Sequence, residues 1–464
     1  MRYFFCGCAG SGMSSLAQYL VQTGHEVFGS DRSFDLGKNK NLQSKLALLG
    51  IRIFPQDGSG VESDIDFFVV SSAVEETVPD VQKAVEFSLP IIKRAELLAQ
   101  ILRSQNGIAV GGTSGKTTTT AMVGHILFEA GLKPTILNGG VMINTYTNDK
   151  TPSNVVVGDG AFCVVEADES DGSIELYTPC VAVVTNISLD HKPVQELLPL
   201  FKEFVAHAGV GAVLNLDSPY TAKMMKLNDM VSTFSGSGNS SATLWASDIV
   251  CLKDETYFKL NGLYDVTLNT SGRHNVENAL AAMAAAELFG IDYATSIKAL
   301  SSFKGVKRRL EKLGEANGVT VYDDFAHNPD KIKATLDTLH QQEGKLWIIF
   351  QPHGFSPTRL MREGYVEVFS SCLKEDDTLL MPEIFYEGGS VNADISAADL
   401  IRDIRAKDSL KKPKAFFNKQ RDELIPPLVK KAGAGDRIVV MGARDNSLTD
   451  FALKILEQLK KKGK

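Results

Sequence analysis

Residues 108–120 read IAVGGTSGKTTTT, and the predicted fold of the chain follows most directly from this stretch. A short apolar run ends at Val110, a glycine-rich turn carries Lys116, and a threonine run then opens a helical pattern. A strand, turn and helix of this kind bind phosphate, because glycines let backbone N–H groups approach closely and the helix N-terminus adds positive potential. The turn is one residue shorter than usual, since Val110 stands where the outer glycine would fall. The stretch predicts a nucleotide site in which Lys116 meets the terminal phosphates and Thr117 presents a hydroxyl to Mg²⁺.

Length and composition are those of an ordinary soluble globular protein. The 464 residues exceed one typical core and predict about three domains. The net charge of −7 argues against a nucleic-acid partner, because phosphate backbones favour a basic surface. Six cysteines show no CxxC or Cys/His metal spacing, and no signal peptide or membrane-spanning apolar run is evident. We therefore expect reduced thiols, no membrane insertion and a cytoplasmic location.

A second glycine-rich turn lies near the start of the chain. Residues 3–6 predict a strand, GCAGSGMS at 7–14 predicts a turn and the start of a helix, and residues 26–29 predict a strand that leads to Asp31. This pattern is half of a Rossmann unit, with an acidic residue placed to hold a ribose. Ala9 stands at the second glycine position of the usual fingerprint. Taken alone, the turn is therefore compatible with NAD, FAD or any diphosphate at a helix N-terminus.

Polar clusters follow two further predicted strands. Residues 161–165 lead into EADESD at 166–171, and residues 181–185 lead into NISLDH at 186–191. Open α/β sheets place their chemistry at the carboxyl ends of the strands. Carboxylates and an imidazole beside a phosphate loop suit a magnesium nucleotide, because hard oxygen ligands hold the metal. A solvated turn is the alternative interpretation of the acidic run.

The remaining segments complete an α/β chain. Residues 232–272 predict a small antiparallel appendage, and an alanine-rich helix follows near Asn275, whose polar neighbours are equally compatible with helix caps. Strands predicted at 319–322, 346–350, 379–382, 414–417 and 437–441 alternate with helices. We predict three domains: a Rossmann-like N-terminal domain at 1–106, a central P-loop ATPase-type mononucleotide-binding domain at 107–305, and a Rossmann-like C-terminal domain at 306–464.

With its motifs in this order, the chain resembles the Mur ligases, the ATP-dependent amide-forming enzymes of bacterial peptidoglycan synthesis. The resemblance runs from residue 2 to about residue 450, and within the family it is strongest to members that join L-alanine to UDP-N-acetylmuramate. The motifs that carry it are GCAGSGMS at 7–14, GTSGKTTTT at 112–120, EADESDGS at 166–173, TNISLDH at 185–191, GRHNVENALAA at 272–282, FKGVKRRLE at 303–311, YDDFAHNP at 322–329 and FQPH at 350–353.

The resemblance implies ATP and Mg²⁺ as cofactors, with UDP-N-acetylmuramate and an amino acid or short peptide as substrates. It implies ATP contacts at Gly112, Thr113, Ser114, Gly115, Lys116, Thr117, Thr118, Asn275, Arg309, Asp324 and His327. It implies contacts with the UDP-sugar at Gly10, Ser11, Gly12, Met13, Asp31 and Ser72. Metal-site residues would be Thr117, Glu169 and His191, and catalytic residues would be Lys116, Glu169, His191, Arg309, His353 and Arg359.

The reaction implied is phosphoryl transfer from ATP to a carboxylate, which gives an acyl phosphate that an amino group attacks. Closure of the domains would keep water from this intermediate. We expect a Lys116→Ala substitution to abolish ligation and to leave the fold intact, because a loop lysine has little packing to lose. Monomer and homodimer are both compatible with the sequence.

Three departures from the family pattern bear on the acceptor. Ser114 stands where members often have histidine, and Gly354 and Pro357 stand where an arginine pair would follow the Gln-Pro-His motif, which leaves Arg359. The usual DH-L-D run is Asp-His-Lys-Pro at 190–193. Fewer guanidinium groups weaken bidentate binding of a carboxylate. The acceptor therefore stays open between L-alanine, another amino acid and the L-Ala-γ-D-Glu-diaminopimelate tripeptide of the recycling ligase.

Two other functional classes deserve comparison. A nicotinamide-dependent oxidoreductase would use the turn from Gly7 to Asp31, but it would leave Lys116, Glu169 and His191 without a role. A non-catalytic relative would keep the fold without the chemistry. The intact Lys116, Glu169 and His191 favour an enzyme.

Overall fold

The structure is a computed structural model that describes residues 1–71, 74–146, 153–170, 172–190, 192–386, 392–407 and 415–462. It divides into two compact units. The first comprises Met1–Ser188, Lys192–Ala246 and Glu277–Lys304, and the second comprises Leu189–His191, Ser247–Val276 and Gly305–Lys464. The domain bounds that we drew from the sequence stay a prediction.

A parallel sheet opens the first unit. Its strands are β1 (Arg2–Cys6), β2 (Glu26–Ser30), β3 (Arg52–Phe54), β4 (Phe67–Val70) and β5 (Ile91–Lys93), in the order β3-β2-β1-β4-β5. Its helices are α1 (Ser11–Gln22), α2 (Arg32–Asp35), α3 (Lys40–Leu48), α4 (Pro79–Glu86) and α5 (Arg94–Arg103). The strand order reverses between β1 and β4, so the glycine turn after β1 lies at the switch point where open α/β sheets bind ligands.

The second sheet of this unit carries the phosphate loop. Its strands are β6 (Asn106–Gly111), β7 (Thr135–Leu137), β8 (Val155–Val156), β9 (Phe162–Glu166), β10 (Val181–Val184), β11 (Gly211–Asn215) and β12 (Val231–Ser235), in the order β12-β11-β10-β6-β9-β7-β8. Strand β6 pairs in parallel with both β10 and β9. The ends of these three strands therefore meet at one edge, where the sequence places its glycine-rich, acidic and TNIS motifs.

Helices cover this sheet and continue the chain. They are α6 (Lys116–Glu129), α7 (Val194–Ala206), α8 (Arg273–Glu287) and α9 (Tyr293–Leu300), with short 3₁₀ helices at Ser173–Leu176 and Thr221–Met224. Helix α6 is buried from Thr117 to Leu127, and this part is apolar or threonine-rich apart from His125, as expected of a helix that is covered on all sides. Two of the points at which the chain passes from one unit to the other lie within α8 and within strand β13 (Leu244–Cys251).

The predicted antiparallel appendage at 232–272 is only partly right. Strand β12 belongs to the parallel sheet, and the start of β13 pairs with it in parallel. Antiparallel pairing begins with β14 (Thr256–Leu260) and β15 (Tyr264–Leu268), which form a hairpin in the second unit. Serine- and glycine-rich composition marked irregular connections here, but it could not distinguish parallel from antiparallel neighbours.

The second unit contains a further α/β sheet. Its strands are β16 (Glu311–Ala316), β17 (Val319–Asp324), β18 (Leu346–Phe350), β19 (Thr378–Met381), β20 (Ala415–Phe417) and β21 (Arg437–Met441), in the order β16-β17-β21-β18-β19-β20. Its helices are α10 (Pro329–Leu339), α11 (Phe355–Leu360), α12 (Arg362–Cys372), α13 (Ala397–Lys407), α14 (Ile425–Lys431) and α15 (Ser447–Lys462), with a 3₁₀ helix at Arg421–Leu424. Strand β16 is antiparallel to β17, and the other pairs are parallel. Apolar side chains pack on both faces of the sheet, which explains why its strands read as continuous apolar runs.

The cysteines and the helix lengths bear on two further expectations. The six cysteines are free thiols, as the sequence predicts. Burial raises the pKa of the Cys6 thiol to about 12, so this thiol is protonated and unreactive at neutral pH. Within the described ranges, we find no helix that combines the length and the apolar character needed to span a bilayer.

Candidate active site

The phosphate loop is held in place by the residues that follow β10. The Thr113 N–H donates to Asn186 O at 3.0 Å, and the Ser114 N–H donates to Asn186 Oδ1 at 2.9 Å. The Thr185 hydroxyl donates to Ser114 O at 2.6 Å, and Asn186 Nδ2 donates to the same oxygen at 3.0 Å. The side chains of Thr185 and Asn186 thus both bond the loop backbone. This arrangement fixes the loop conformation before any ligand arrives.

Two glycines allow the loop to approach these neighbours. Gly112 has φ of +127°, and a Cβ there would overlap the Thr185 hydroxyl and lie 2.9 Å from Asn186 O. Gly115 has φ of +89°, and a Cβ there would overlap Asn278 Oδ1. Side chains are disfavoured at both positions by conformation as well as by space. The loop therefore depends on glycine for reasons that the motif alone does not reveal.

Lys116, the first residue of α6, is enclosed by acceptors. Its Nζ donates to Glu169 Oε2 at 2.6 Å and to Gly112 O at 2.7 Å. The side chains of Lys116 and Glu169 are 14% and 3% exposed, so this is a buried ion pair. The end of β9 and the phosphate loop thereby bring together a cation and a carboxylate that lie 53 residues apart in sequence.

The acidic run after β9 contains two carboxylates, Asp168 and Glu169, whose pKa values are shifted in opposite directions. Burial raises the pKa of Glu169, and the nearby charge of Asp168 adds to this effect against the attraction of Lys116. Burial also opposes ionisation of Asp168, but the charge on Lys116 and the bond from the Ser170 N–H outweigh it and lower the pKa of Asp168. The surrounding carboxylates raise the pKa of Lys116 despite its burial. A charged lysine beside carboxylates with separated pKa values is typical of a catalytic site.

Two of the three predicted metal ligands, Thr117 and Glu169, lie among the described residues. Glu169 and Thr117 supply the hard oxygen donors that Mg²⁺ prefers, and both side chains are almost completely buried near the phosphate loop. His191, the third predicted ligand, lies outside the described residues. Among the described residues, no three His, Cys, Asp or Glu side chains are grouped as a metal site built from these residue types would require.

The N-terminal glycine turn is held in shape by hydrogen bonds to the Asp31 side chain. The Asp31 carboxylate accepts bonds from the Ala9 N–H and from the Ser33 N–H, both at 2.8 Å, and it caps helix α2. Met13 is a buried residue of α1, whereas Gly10 and Ser11 are exposed at the N-terminus of this helix. Asp31 thus has a structural role in shaping the turn. Ser72, another predicted sugar contact, lies outside the described residues.

In the second unit, the predicted nucleotide residues lie at the end of β17 and in the segment before β16. The Asp324 carboxylate accepts from the Leu310 N–H at 3.2 Å and from the Thr335 hydroxyl. Burial raises the pKa of Asp324, and the charge on Arg309 partly offsets this effect. The Arg309 guanidinium lies 4.5 Å from the centroid of the Phe325 ring. Asn275, in the first turn of α8, donates from Nδ2 to Ser271 O at 2.9 Å, which is a bond to a carbonyl and not the acceptance of a helix N–H that defines an N-cap.

Asp190 forms an unexpected cluster within the second unit. Its Oδ2 accepts from Asn328 Nδ2 and from Lys331 Nζ, each at 2.9 Å. Its Oδ1 lies 3.7 Å from His327 Nε2. Burial lowers the pKa of His327 to about 4, with the charge on Lys331 adding to the effect, so the ring is neutral at pH 7. The sequence predicted Asp190 at the end of a strand in the central sheet, and the structure places it beside Asn328, Lys331 and His327, in and just before the start of α10.

Two predicted acceptor residues occupy different surroundings. His353 is buried after β18, and its ring centroid lies 5.4 Å from that of His327. Arg359 is partly exposed in α11, where its Nε donates to Asp394 Oδ1 at 3.1 Å and its Nη2 donates to Asn392 O. Its guanidinium is therefore engaged by the segment that precedes α13. Of the two, only His353 is placed beside another predicted site residue.

Three residues that support the site were not singled out in the sequence analysis. Thr185 and Asn186 lay within a quoted motif, but nothing in the pattern showed that they bond the phosphate loop. Asn278 accepts from the Thr119 hydroxyl at 3.2 Å and lies against Gly115. Each acts across more than 70 residues of sequence, so no local signal reports its partner.

His125 anchors the middle of α6 inside the first unit. Its Nε2 lies 3.0 Å from Ala299 O and 2.9 Å from Ser302 Oγ, and its Nδ1 lies 3.1 Å from the Tyr146 hydroxyl. Burial lowers the pKa of His125 below its usual range. Below about pH 6.5 this histidine becomes protonated in the unfolded chain, whereas in the folded protein it stays neutral until a lower pH. Protonation therefore favours the unfolded state, and the free energy of unfolding decreases as the pH falls below about 6.5.

We expect the buried His125 ring to gain its proton at a lower pH than an unperturbed histidine, whose pKa is about 6.5. In protein labelled with ¹³C-histidine, its Cε1 resonance, assigned by its absence from a His125→Gln variant, should therefore titrate with a midpoint below about pH 6.5. Each pH unit below the unfolded pKa should cost about 1.4 kcal/mol of stability through this residue until the folded pKa is reached. A titration midpoint near pH 6.5 would show that burial does not control this ring.

Comparisons with known proteins agree along the whole chain. Family models described as "Mur ligase family, catalytic domain", "Mur ligase middle domain" and "Mur ligase, glutamate ligase domain" match residues 2–106, 110–286 and 308–444. A UDP-N-acetylmuramate–L-alanine ligase of Agrobacterium fabrum is 35% identical, over 98% of this chain and 96% of its own length. The corresponding ligase of Aquifex aeolicus is also 35% identical, over 95% of this chain and 94% of its own.

Solved structures show the same architecture. The UDP-N-acetylmuramate-alanine ligase MurC of Thermotoga maritima superposes with a TM-score of 0.79 at 25% identity and covers 100% of both chains. A murein peptide ligase of Psychrobacter arcticus has the same fold, with a TM-score of 0.69 at 24% identity over 99% of each chain. The α/β fold class and the three-domain arrangement predicted from the sequence are confirmed. With family matches to all three domains and relatives at 35% identity over nearly its full length, this chain belongs to the Mur ligase family.

Proposed function

We propose that this protein joins L-alanine to the lactyl carboxylate of UDP-N-acetylmuramate in an ATP-dependent, ADP-forming reaction. The observation that carries the proposal is the buried Lys116–Glu169 pair at the phosphate loop. It supplies a cation and a carboxylate where a nucleotide phosphate would meet a helix N-terminus. Curated relatives that carry this activity in their names match nearly the whole chain, which supports the same choice of substrates.

The proposed reaction proceeds through an acyl phosphate. The substrate carboxylate attacks the terminal phosphorus of ATP, the bond to ADP breaks, and the acyl phosphate forms. The amino group of the acceptor then attacks the acyl carbon, loses a proton and releases inorganic phosphate. Lys116 would neutralise charge on the transferring phosphoryl group, and Gly112, Thr113, Ser114, Gly115 and Thr118 would shape its binding loop.

The residues near the loop fit a magnesium ion. The Thr117 hydroxyl and the Glu169 carboxylate are oxygen donors of the kind that Mg²⁺ prefers, and His191 is proposed as a further ligand. Bound Mg²⁺ would offset negative charge on the phosphates. In the proposed reaction, Lys116 breaks its ion pair with Glu169 and binds phosphate, and Glu169 is then able to bind Mg²⁺. Both groups are already in place at the phosphate loop before the substrates bind.

The other site residues receive proposed roles by family membership. Asn275, Arg309, Asp324 and His327 would contact the nucleotide, and His353 would lie near the acceptor or the acyl phosphate. Gly10, Ser11, Gly12, Met13, Asp31 and Ser72 would form the site for the UDP-sugar. We propose the corresponding division of labour among residues 1–106 for the UDP-sugar, 107–305 for ATP and 306–464 for the ligation step.

The proposal includes a cellular setting. ATP and a nucleotide sugar are substrates of the cytoplasm, so we place the reaction there. We propose no nucleic-acid partner and no membrane insertion, and a monomer or a homodimer would serve the chemistry equally. A nicotinamide-dependent reaction is not proposed, because the family of the chain is that of the Mur ligases.

The recycling reaction, with the L-Ala-γ-D-Glu-diaminopimelate tripeptide as acceptor, is the second candidate. One observation favours it: Arg359 pairs with Asp394, and Gly354 and Pro357 supply no guanidinium nearby in sequence. A single amino acid carries its carboxylate beside the reacting amine and benefits from such a group, whereas a peptide has other features to bind.

The two candidates separate in one assay. Phosphate release from ATP should be measured with UDP-N-acetylmuramate and Mg²⁺, with L-alanine, L-serine, glycine or the tripeptide as acceptor. We expect L-alanine to stimulate release most strongly. Stimulation by the tripeptide alone would assign the recycling reaction, and no stimulation by any of the four would contradict both proposals.

A further inference from the structure

Arg94 lies directly against the N-terminal glycine turn. It is the first residue of α5, it follows β5, and its side chain is half-buried. A Cβ built on Gly12 would lie 3.0 Å from Arg94 Cδ and 3.3 Å from Nη1. The absence of a side chain at Gly12 therefore lets the guanidinium rest on the first turn of α1. Neither the sequence motifs nor the proposed roles above include this residue.

The negative charge of Asp31 at the glycine turn explains why a positive charge is needed there to bind a diphosphate. The Asp31 carboxylate is bonded to the Ala9 N–H within the turn, so one backbone donor is already used and a negative charge is held close by. A diphosphate placed at the same helix N-terminus would be repelled by that carboxylate. The Arg94 guanidinium supplies a positive charge and parallel N–H donors, and a guanidinium can bind two phosphate oxygens at once.

The same side chain also reaches the electrostatic environment of the phosphate loop. The charge on Arg94 contributes to the lowered pKa of Asp168, after the effects of Lys116 and Ser170. Asp168 precedes Glu169, which binds Lys116. Arg94 thus contacts the glycine turn at Gly12, and its charge acts on Asp168, all within the first unit.

We infer that Arg94 is a substrate-binding residue, whose guanidinium holds the diphosphate of the nucleotide sugar on the first turn of α1. By fixing the diphosphate there, it would set the position of the attached sugar relative to Lys116. This inference rests on the proposed function, since it assigns a new contact to the proposed UDP-sugar site.

The test measures the binding of UDP-N-acetylmuramate by calorimetry in the absence of ATP. Arg94→Ala should weaken binding about 10- to 100-fold, as expected for the loss of charge-assisted hydrogen bonds. Arg94→Lys should recover part of the loss, because it restores the charge without the planar pair of donors. Lys93→Ala is the matched control: Lys93 is an exposed cation next in sequence, and its capping bond to Glu96 comes from the backbone N–H. This control should bind like wild type.

A second variant changes the position of the guanidinium without removing it. Gly12→Ala would press a methyl group against Arg94 Cδ and Nη1, and the φ of Gly12 is compatible with alanine. It should weaken binding of the UDP-sugar, and the Arg94→Ala/Gly12→Ala double variant should lose less than the sum of the single losses. Affinity for ATP should stay within twofold of wild type in all these variants, which also shows that they fold.

The outcomes separate the two levels of proposal. If wild type binds UDP-N-acetylmuramate and Arg94→Ala binds it equally well, the role of Arg94 is overturned while the proposed function stands. If wild type itself does not bind the nucleotide sugar, the proposed function fails first. A tenfold loss in Arg94→Ala with intact ATP binding supports the inference.

Discussion

Replacing Lys116 with methionine should abolish ligation and also destabilise the protein. Removal of the ammonium group takes away the charge that the proposed transition state needs, and activity should fall at least about 1000-fold. It also leaves Glu169 buried without its ion partner, at a cost of about 3 kcal/mol. This expectation corrects the one from sequence, in which a loop lysine had little to lose.

The two effects can be separated with a double variant. Lys116→Met/Glu169→Gln replaces both charges by neutral groups of similar size, so it should regain most of the stability lost in Lys116→Met. It should regain no activity. Urea denaturation and phosphate release measure the two properties in the same preparations. Ligation by Lys116→Met at a rate near that of wild type would show that Lys116 is not required for catalysis. Equal stability of the single and double variants would show that the ion pair is not buried as described.

Replacing Gly112 with alanine should disable the phosphate loop almost as completely. The added methyl group would overlap the Thr185 hydroxyl and crowd Asn186 O, and the φ of +127° is unfavourable for alanine. The bonds from Thr185 and Asn186 to the loop would have to shift, and a displacement of about 1 Å in a positioned catalytic group costs on the order of 100-fold in rate. Affinity for ATP and phosphate release are the quantities to measure.

Gly131→Ala supplies the matched control for this prediction. Gly131 lies just beyond the C-terminal end of α6, it also has positive φ, at +78°, and a Cβ there would meet no atom within 4 Å. The control should cost about 1 kcal/mol of stability from conformation alone and should keep its activity. If Gly112→Ala behaves like this control, the packing of the loop against the end of β10 is not required for catalysis.

The local pattern predicted the elements that position the site. Apolar runs located β18 and β21 at their observed bounds, and the glycine-lysine-threonine stretch placed the start of α6. These features are determined by residues that are close in sequence, for example by an apolar strand followed by a polar turn. They can therefore be predicted from the sequence alone. The acidic run after β9 was also placed correctly, because parallel strands share the edge at which they end.

Features that depend on distant partners were missed. The exchange of bonds between the phosphate loop and Asn186 spans 72 residues, and the contact of Asp190 with Lys331 spans 141. The ribose contact of Asp31 stays a prediction, and the structure adds bonds to its carboxylate from the backbone of its own turn and helix, which the motif did not reveal. Each of these side chains is of a type that suits either function or structure. Only the fold shows which partner it meets.

The measurement that tests the central claim most directly uses UDP-N-acetylmuramate labelled with ¹⁸O in its lactyl carboxylate. The substrate is incubated with ATP, Mg²⁺ and L-alanine, and the organic product and the released phosphate are analysed by mass spectrometry. The proposed acyl phosphate predicts an amide product of UDP-N-acetylmuramate and L-alanine, with one labelled oxygen transferred to each inorganic phosphate. Amide formation with unlabelled phosphate would contradict the acyl-phosphate route, and phosphate release without an amide product would contradict the ligase itself.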